Sequence, residues 1–195
     1  MPFNLAIFNF INTGLSNPVF DIFFYIVTNL GAVYVWTIVI ILLMAIAKKS
    51  RKVGIYSLIT LILIESLSMV LKLVFDVLRP YQTPGVMESM FLLVDPVKSA
   101  SFPSGHTMLA FSLAMVIGLN YNIEIKNKKI SLAIPMLIFA VLIGFSRVYV
   151  GAHFPFDVLI GALIGLLIGG VVYYISRKDI KLNTDKIKKI IEYKE

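Results

Sequence analysis

Apolar residues run in five long stretches separated by short clusters of charge. The stretches cover about 19–47, 53–78, 104–121, 130–148 and 155–176. Each approaches the roughly 20 residues a helix needs to cross ~30 Å of hydrocarbon. The first holds about 29 residues, or ~43 Å of helix, so the pattern predicts a tilted span or one that breaks near Asn29-Leu30-Gly31. Ahead of it, Phe3, Ile7, Phe10 and Ile11 recur at helical spacing among asparagines, with no Lys or Arg before residue 48. That stretch lacks the basic start of a signal peptide and predicts an interfacial helix. The predicted fold is all-α, a polytopic bundle of about five transmembrane helices plus the N-terminal interfacial helix, forming one membrane domain over 1–195. The long loop is about 79–103.

Composition supports a lipid environment. Of 195 residues 58% are hydrophobic and 15% charged, where soluble domains carry about a quarter charged. The absence of cysteine excludes disulfides, thiolate metal sites and a cysteine nucleophile. A net charge of +7 suggests a polyanionic partner until the charges are located. Lys48, Lys49, Arg51 and Lys52 follow the first stretch, Lys126, Lys128 and Lys129 the third, and Arg177, Lys178, Lys181, Lys186, Lys188, Lys189 and Lys194 the fifth. Fourteen of the 18 basic residues thus share one side, which the positive-inside rule makes cytoplasmic. The N-terminus is then outside and the C-terminus inside. Attraction to anionic headgroups accounts for the tail 177–195, and nucleic acid is not needed.

The remaining basic residues, Lys72, Arg79, Lys98 and Arg147, fall at or near the opposite face, among three unusual stretches. Lys72 and Arg79 close the second span ahead of Pro80. Seven residues apart, they would share a helix face; alone, they read equally as snorkelling cations. Pro103-Ser104-Gly105-His106 opens the third span. It could be a helix cap or an anion site built on the free N–H groups of a first helical turn. Ser146-Arg147 ends the fourth span, and His153 and Asp157 open the fifth. Spaced by four, the carboxylate can meet the imidazole across one turn, either as a structural pair or to fix the tautomer of a reactive histidine. Span connectivity brings all three stretches to one end of one bundle. Three cations, a serine, helix-start N–H groups, two histidines and an aspartate suit binding and transfer of a phosphoryl group.

In this order, Lys-x6-Arg-Pro, Pro-Ser-Gly-His and Ser-Arg-x5-His-x3-Asp resemble the type 2 phosphatidic acid phosphatase (PAP2) superfamily, and all three motifs match without departure. The resemblance covers about 53–176. It implies a membrane phosphatase acting on lipid phosphate or diphosphate through a phosphohistidine, with no cofactor and no metal. By resemblance His153 is the nucleophile, Asp157 orients it, and His106 is the general acid. Lys72, Arg79, Ser104, Gly105 through its N–H, and Arg147 hold the phosphate oxygens. Compact size resembles the carrier-lipid diphosphatases, making isoprenoid diphosphate the leading substrate; phosphatidate or phosphatidylglycerol phosphate is the alternative. A catalytically silent lipid-binding relative should have lost His153, His106 or Arg147. The vanadate-dependent haloperoxidases share the phosphate site but are soluble.

Outside the motifs, Asp76 reads as an ion-pair partner of Lys72 and Arg79, and Glu65 as a structural carboxyl beside Ser66 and Ser68 or a polar wall below the site. Tyr81, Tyr149 and Phe154 are expected at the mouth or interface, Lys98 at the rim. Gly161, Gly165 and Gly169 read as a helix-packing face.

Overall fold

The computed structural model describes residues 2–46, 48–125 and 128–192; Lys126 and Lys194 of the basic face lie outside the described residues. The chain forms seven α-helices among these residues: α1 Pro2–Asn12, α2 Pro18–Leu30, α3 Val33–Ile46, α4 Lys48–Phe75, α5 Gly105–Val116, α6 Ala133–Tyr149 and α7 Pro155–Glu192. Of these, α4 and α7 contain spans long and apolar enough to cross a membrane. The first apolar stretch is two helices, α2 and α3, bent by 51° at the expected break. The Asn17 side chain accepts from the N–H groups of Val19 and Phe20 to start α2, and the Gly31 N–H bonds back to the α2 carbonyls to end it. The apolar helices α5, prolonged by a 3-10 turn to Asn120, and α6 are shorter.

Relative to the hydropathy pattern α4 begins early, at Lys48, and α7 runs on to Glu192; two further boundaries fall inside the apolar stretches. Residues 130–131 open no helix, because β1 Asn122–Ile125 and β2 Lys128–Ser131 pair antiparallel, Glu124 opposite Lys129. Opposite charges across a strand pair favour that register, and α6 waits until Ala133. The second span stops at Phe75, three residues before expected. Pro80 has no N–H for a helical bond to Asp76, and its ring disfavours helical backbone at Arg79. Asp76 closes the helix in the left-handed region at φ 40°, which short polar side chains tolerate. Lys72 and Arg79 therefore do not share a helix face: Arg79 lies in extended backbone, beyond the helix end.

The core is centred on α5, whose buried Met108, Leu109 and Leu113 pack with Ile40, Ile64 and Ile143 of neighbouring helices. The packing face of α7 against α5 is glycine. A Cβ at Gly161, Gly165 or Gly169 would stand 2.9, 2.5 and 2.5 Å from the carbonyl oxygens of Ser104, Met108 and Ser112, so the two backbones meet directly. This contact places the start of α5 beside the start of α7.

Candidate active site

His153 lies in the turn between α6 and α7, before α7 begins at Pro155. The turn is shaped by Gly151 at φ +78° and closed by the N–H groups of Ala152 and His153, which both donate to the Arg147 carbonyl at 3.0 and 3.1 Å. His153 is 2% exposed. Its Nε2 lies 3.4 Å from Arg79 Nη1 and its Nδ1 3.3 Å from Ser101 Oγ. A guanidinium only donates, so Nε2 carries the lone pair and Nδ1 the proton. Burial, then the charges of Arg147, Arg79 and Lys72, hold this imidazole well below the usual histidine range.

Asp157 is buried behind it at the first turn of α7. The direct His153 Nδ1 to Asp157 Oδ2 distance is 3.7 Å, beyond a hydrogen bond. Ser101 bridges the gap, donating from Oγ to Asp157 Oδ2 at 2.6 Å. The Phe154 N–H adds a second bond to that oxygen at 2.9 Å, and the Asp157 carbonyl accepts the Ser104 N–H at 3.1 Å.

Arg79 is buried and uses every donor it has. Nε donates to the Ser99 carbonyl at 2.7 Å, Nη1 to the Ala152 carbonyl at 3.0 Å, and Nη2 to Ser99 Oγ at 3.1 Å and the Ala100 carbonyl at 3.3 Å. The fifth proton faces His153 Nε2. Arg147 is the opposite case: Nη1 donates to Thr28 Oγ1, whereas Nε is buried without a partner among the described residues.

A cavity of about 230 Å³ joins these groups, with Lys72, Arg79, Gly105, His106, Arg147, His153 and Glu65 in its wall. Two of the eight sequence-derived site residues stand behind it: Asp157, and Ser104, whose fully buried hydroxyl accepts from Thr107 Oγ1 at 2.9 Å. Gly105 permits close approach of α5 to α4, since a Cβ there would lie 3.1 Å from Ser68 Oγ. The Oε1 of Glu65 is buried without a hydrogen-bond partner among the described residues, and Glu65 forms a polar wall with Ser68 and Lys72. A second groove of about 370 Å³ shares that wall and adds Met69, Leu73, Asp76 and Lys98. Among the described residues, no group of three or more His, Asp or Glu is placed to hold a metal ion.

Two expectations are corrected. Asp76 makes no ion pair with Lys72 or Arg79, because α4 ends beneath it. Tyr149 is core rather than mouth: it is fully buried and its hydroxyl donates to Asp21 Oδ1 at 2.6 Å. Phe154 packs on Phe8 at 5.3 Å between ring centroids. Sequence reasoning also missed Ser101, Thr28 and Ser99. The only sequence signal for Ser101 is a hydroxyl two residues before Pro103, and neighbouring Ser99 and Ser104 keep it from standing out.

Residues 52–181 match the family model of the PAP2 superfamily. The chain is 33% identical to undecaprenyl-diphosphatase BcrC of Bacillus subtilis (strain 168), over 89% of this chain and 84% of that protein. It is 32% identical to an undecaprenyl-diphosphatase of Sulfolobus acidocaldarius, over 84% of this chain and 73% of the relative. Among solved structures it resembles a transmembrane PAP2 type phosphatidylglycerolphosphate phosphatase from Bacillus subtilis, with a TM-score of 0.75 and 28% identity over 90% of this chain and 85% of that one.

Proposed function

The chain belongs to the PAP2 superfamily and is a membrane lipid phosphatase of that type; from this premise we propose that it hydrolyses an isoprenoid diphosphate at the extracytoplasmic membrane surface through a phosphohistidine. The observation that carries the mechanism is the place of His153, with Nε2 3.4 Å from Arg79 Nη1, in the wall of a cavity shared with Lys72, Arg79, Arg147 and His106.

Nε2 attacks the terminal phosphorus, and the bond from phosphorus to the leaving oxygen breaks. His106 gives its proton to that oxygen. The Nδ1 proton of His153 stays on the ring, bonded to Ser101 Oγ, and Asp157 stabilises the resulting charge through the same hydroxyl. Water then attacks the phosphohistidine, His106 takes its proton back, and inorganic phosphate leaves. Lys72, Arg147 and the Gly105 N–H hold phosphate oxygens, the orphan Nε of Arg147 being a ready donor. Because protein cations neutralise the transferring group, turnover needs no metal ion.

The placement of the site outside rests on the Lys and Arg distribution. Isoprenoid diphosphate is favoured by the two undecaprenyl-diphosphatase relatives. Phosphatidylglycerol phosphate is the second reading, supported by the solved structural relative.

The test is phosphate release by the purified protein from undecaprenyl diphosphate, phosphatidylglycerol phosphate and phosphatidate, each with and without EDTA. The highest kcat/KM is expected on the diphosphate, unchanged by chelator. A preference for phosphatidylglycerol phosphate would overturn the substrate, and loss in EDTA restored by Mg²⁺ would overturn the mechanism.

A further inference from the structure

The short helix α1 ends in an asparagine whose side chain makes three hydrogen bonds, all of them to segments far away in the sequence. Asn12 is fully buried at the end of α1. Its Nδ2 donates to the Phe91 carbonyl at 2.7 Å and the Tyr149 carbonyl at 2.8 Å, and its Oδ1 accepts the Phe91 N–H at 2.8 Å. One side chain thus ties three segments: α1, the 79–103 loop, and the end of α6 where the His153 turn starts. The Leu93 N–H bonds to the Val150 carbonyl at 3.2 Å beside it. A Cβ at Gly151 would come within 2.5 Å of the Phe91 carbonyl oxygen, so loop and turn are in backbone contact. On the same side, Phe8 packs with Val86, Val148 and Phe154.

We propose that Asn12 is a positioning residue for His153, setting the turn 149–153 against the loop so that Nε2 faces the cavity. The inference rests on the phosphohistidine reading for its readout. Two of the cations assigned to phosphate, Lys72 on α4 and Arg147 on α6, lie upstream of the junction. Loosening it therefore misaims the nucleophile while leaving phosphate binding in place. A displacement near 1 Å costs on the order of 10²-fold in rate.

The test compares Asn12→Asp and Asn12→Ala with Asn9→Asp, an exposed position on the same helix. Aspartate keeps the acceptor for Phe91 N–H and loses both donors. Measurements are made per folded molecule, below each variant's Tm, on the lipid diphosphate. For the Asn12 variants kcat and the rate of phosphohistidine formation should fall about 10- to 100-fold, with KM within about twofold; Asn9→Asp should match the parent. A lowered Tm with unchanged kcat would reduce Asn12 to a structural role and overturn the proposal. If neither variant folds, hydrogen exchange in the parent decides: vanadate should slow exchange of the Phe91 and Leu93 amides, and no change overturns it. Absence of any phosphoenzyme in the parent would instead defeat the phosphohistidine reading itself.

Discussion

Ser101 and Asp157, 56 residues apart, share a 2.6 Å hydrogen bond, and the same hydroxyl lies 3.3 Å from His153 Nδ1. With the carboxylate 3.7 Å from the ring, Asp157 reaches His153 through Ser101. Ser101→Ala should lower kcat about 10- to 100-fold, the scale of a hydrogen bond to a charged group worth ~1.5–3 kcal/mol. Asp157→Ala should cost at least as much. Because both act along one path, the double variant should be little worse than Asp157→Ala alone. Additive losses in a double-mutant cycle would show that Asp157 acts on His153 independently.

Much of this site was legible because its chemistry conflicts with its solvent. Charged residues are rare in apolar spans, so Lys72, Arg147, His153 and Asp157 stood out, and connectivity placed them at one end. The break at Gly31 and the glycine face of α7 were legible from length and spacing. The misses share a different cause. Ser101, Thr28 and Asn12 are ordinary polar residues whose importance comes from partners 56, 119, 79 and 137 positions away, and no local pattern encodes such a distance. The end of α4 was local but mistaken: helical periodicity continued past Phe75, whereas Pro80 acts upstream on Asp76.

The two histidines should separate kinetically. His153→Ala should abolish the phosphoenzyme and essentially all turnover. His106→Ala should retain phosphate binding and lose about 10²–10⁴-fold in rate, less on a nitrophenyl phosphate whose leaving group needs no proton. Labelled phosphate trapped on His106 in the His153→Ala protein would reverse the assignment.

The depressed pKa of His153 has a defined sign. Lowering it keeps His153 neutral to more acid pH than a free imidazole, whose pKa is about 6.5. Formation of phosphohistidine from nitrophenyl phosphate in the His106→Ala protein removes the other histidine from the profile. Its rate should hold as pH falls through about 6.5 and decline only below. A midpoint at or above 6.5 would contradict the buried, cation-flanked environment.

Packing of α7 on α5 offers a matched pair of substitutions. Gly165→Ala puts a Cβ 2.5 Å from the Met108 carbonyl oxygen, whereas at Gly170 the nearest atom is the flexible Met115 Cε at 3.8 Å. Overpacking of this kind costs about 1–3 kcal/mol, so thermal unfolding in detergent should show a lower Tm for Gly165→Ala. Gly170→Ala should match the parent. Equal Tm values would mean that α5 and α7 separate without cost.

The two site arginines differ in what they have left to give. Arg79 spends four of its five N–H groups on Ser99, Ala100 and Ala152, and the fifth faces His153 Nε2. In the proposed mechanism only that fifth N–H is left to bond a phosphate oxygen, once Nε2 turns its lone pair to phosphorus. Arg147 holds Thr28 and has its buried Nε in reserve. Lysine keeps the charge but has neither the planar fork nor the reach to several acceptors. Arg79→Lys should therefore strand the loop carbonyls, lowering both Tm and kcat. Arg147→Lys should spare Tm more and chiefly weaken the grip on phosphate, so the vanadate Ki should rise about tenfold or more, at ~1.5–3 kcal/mol for a lost charged hydrogen bond. Thr28→Val, which frees Arg147 Nη1 from its hydroxyl partner, separates the two roles further: vanadate affinity should change while the loop contacts of Arg79 stay as they are. If Arg79→Lys weakened vanadate more than Arg147→Lys at unchanged Tm, the division between framework and phosphate ligand would be inverted.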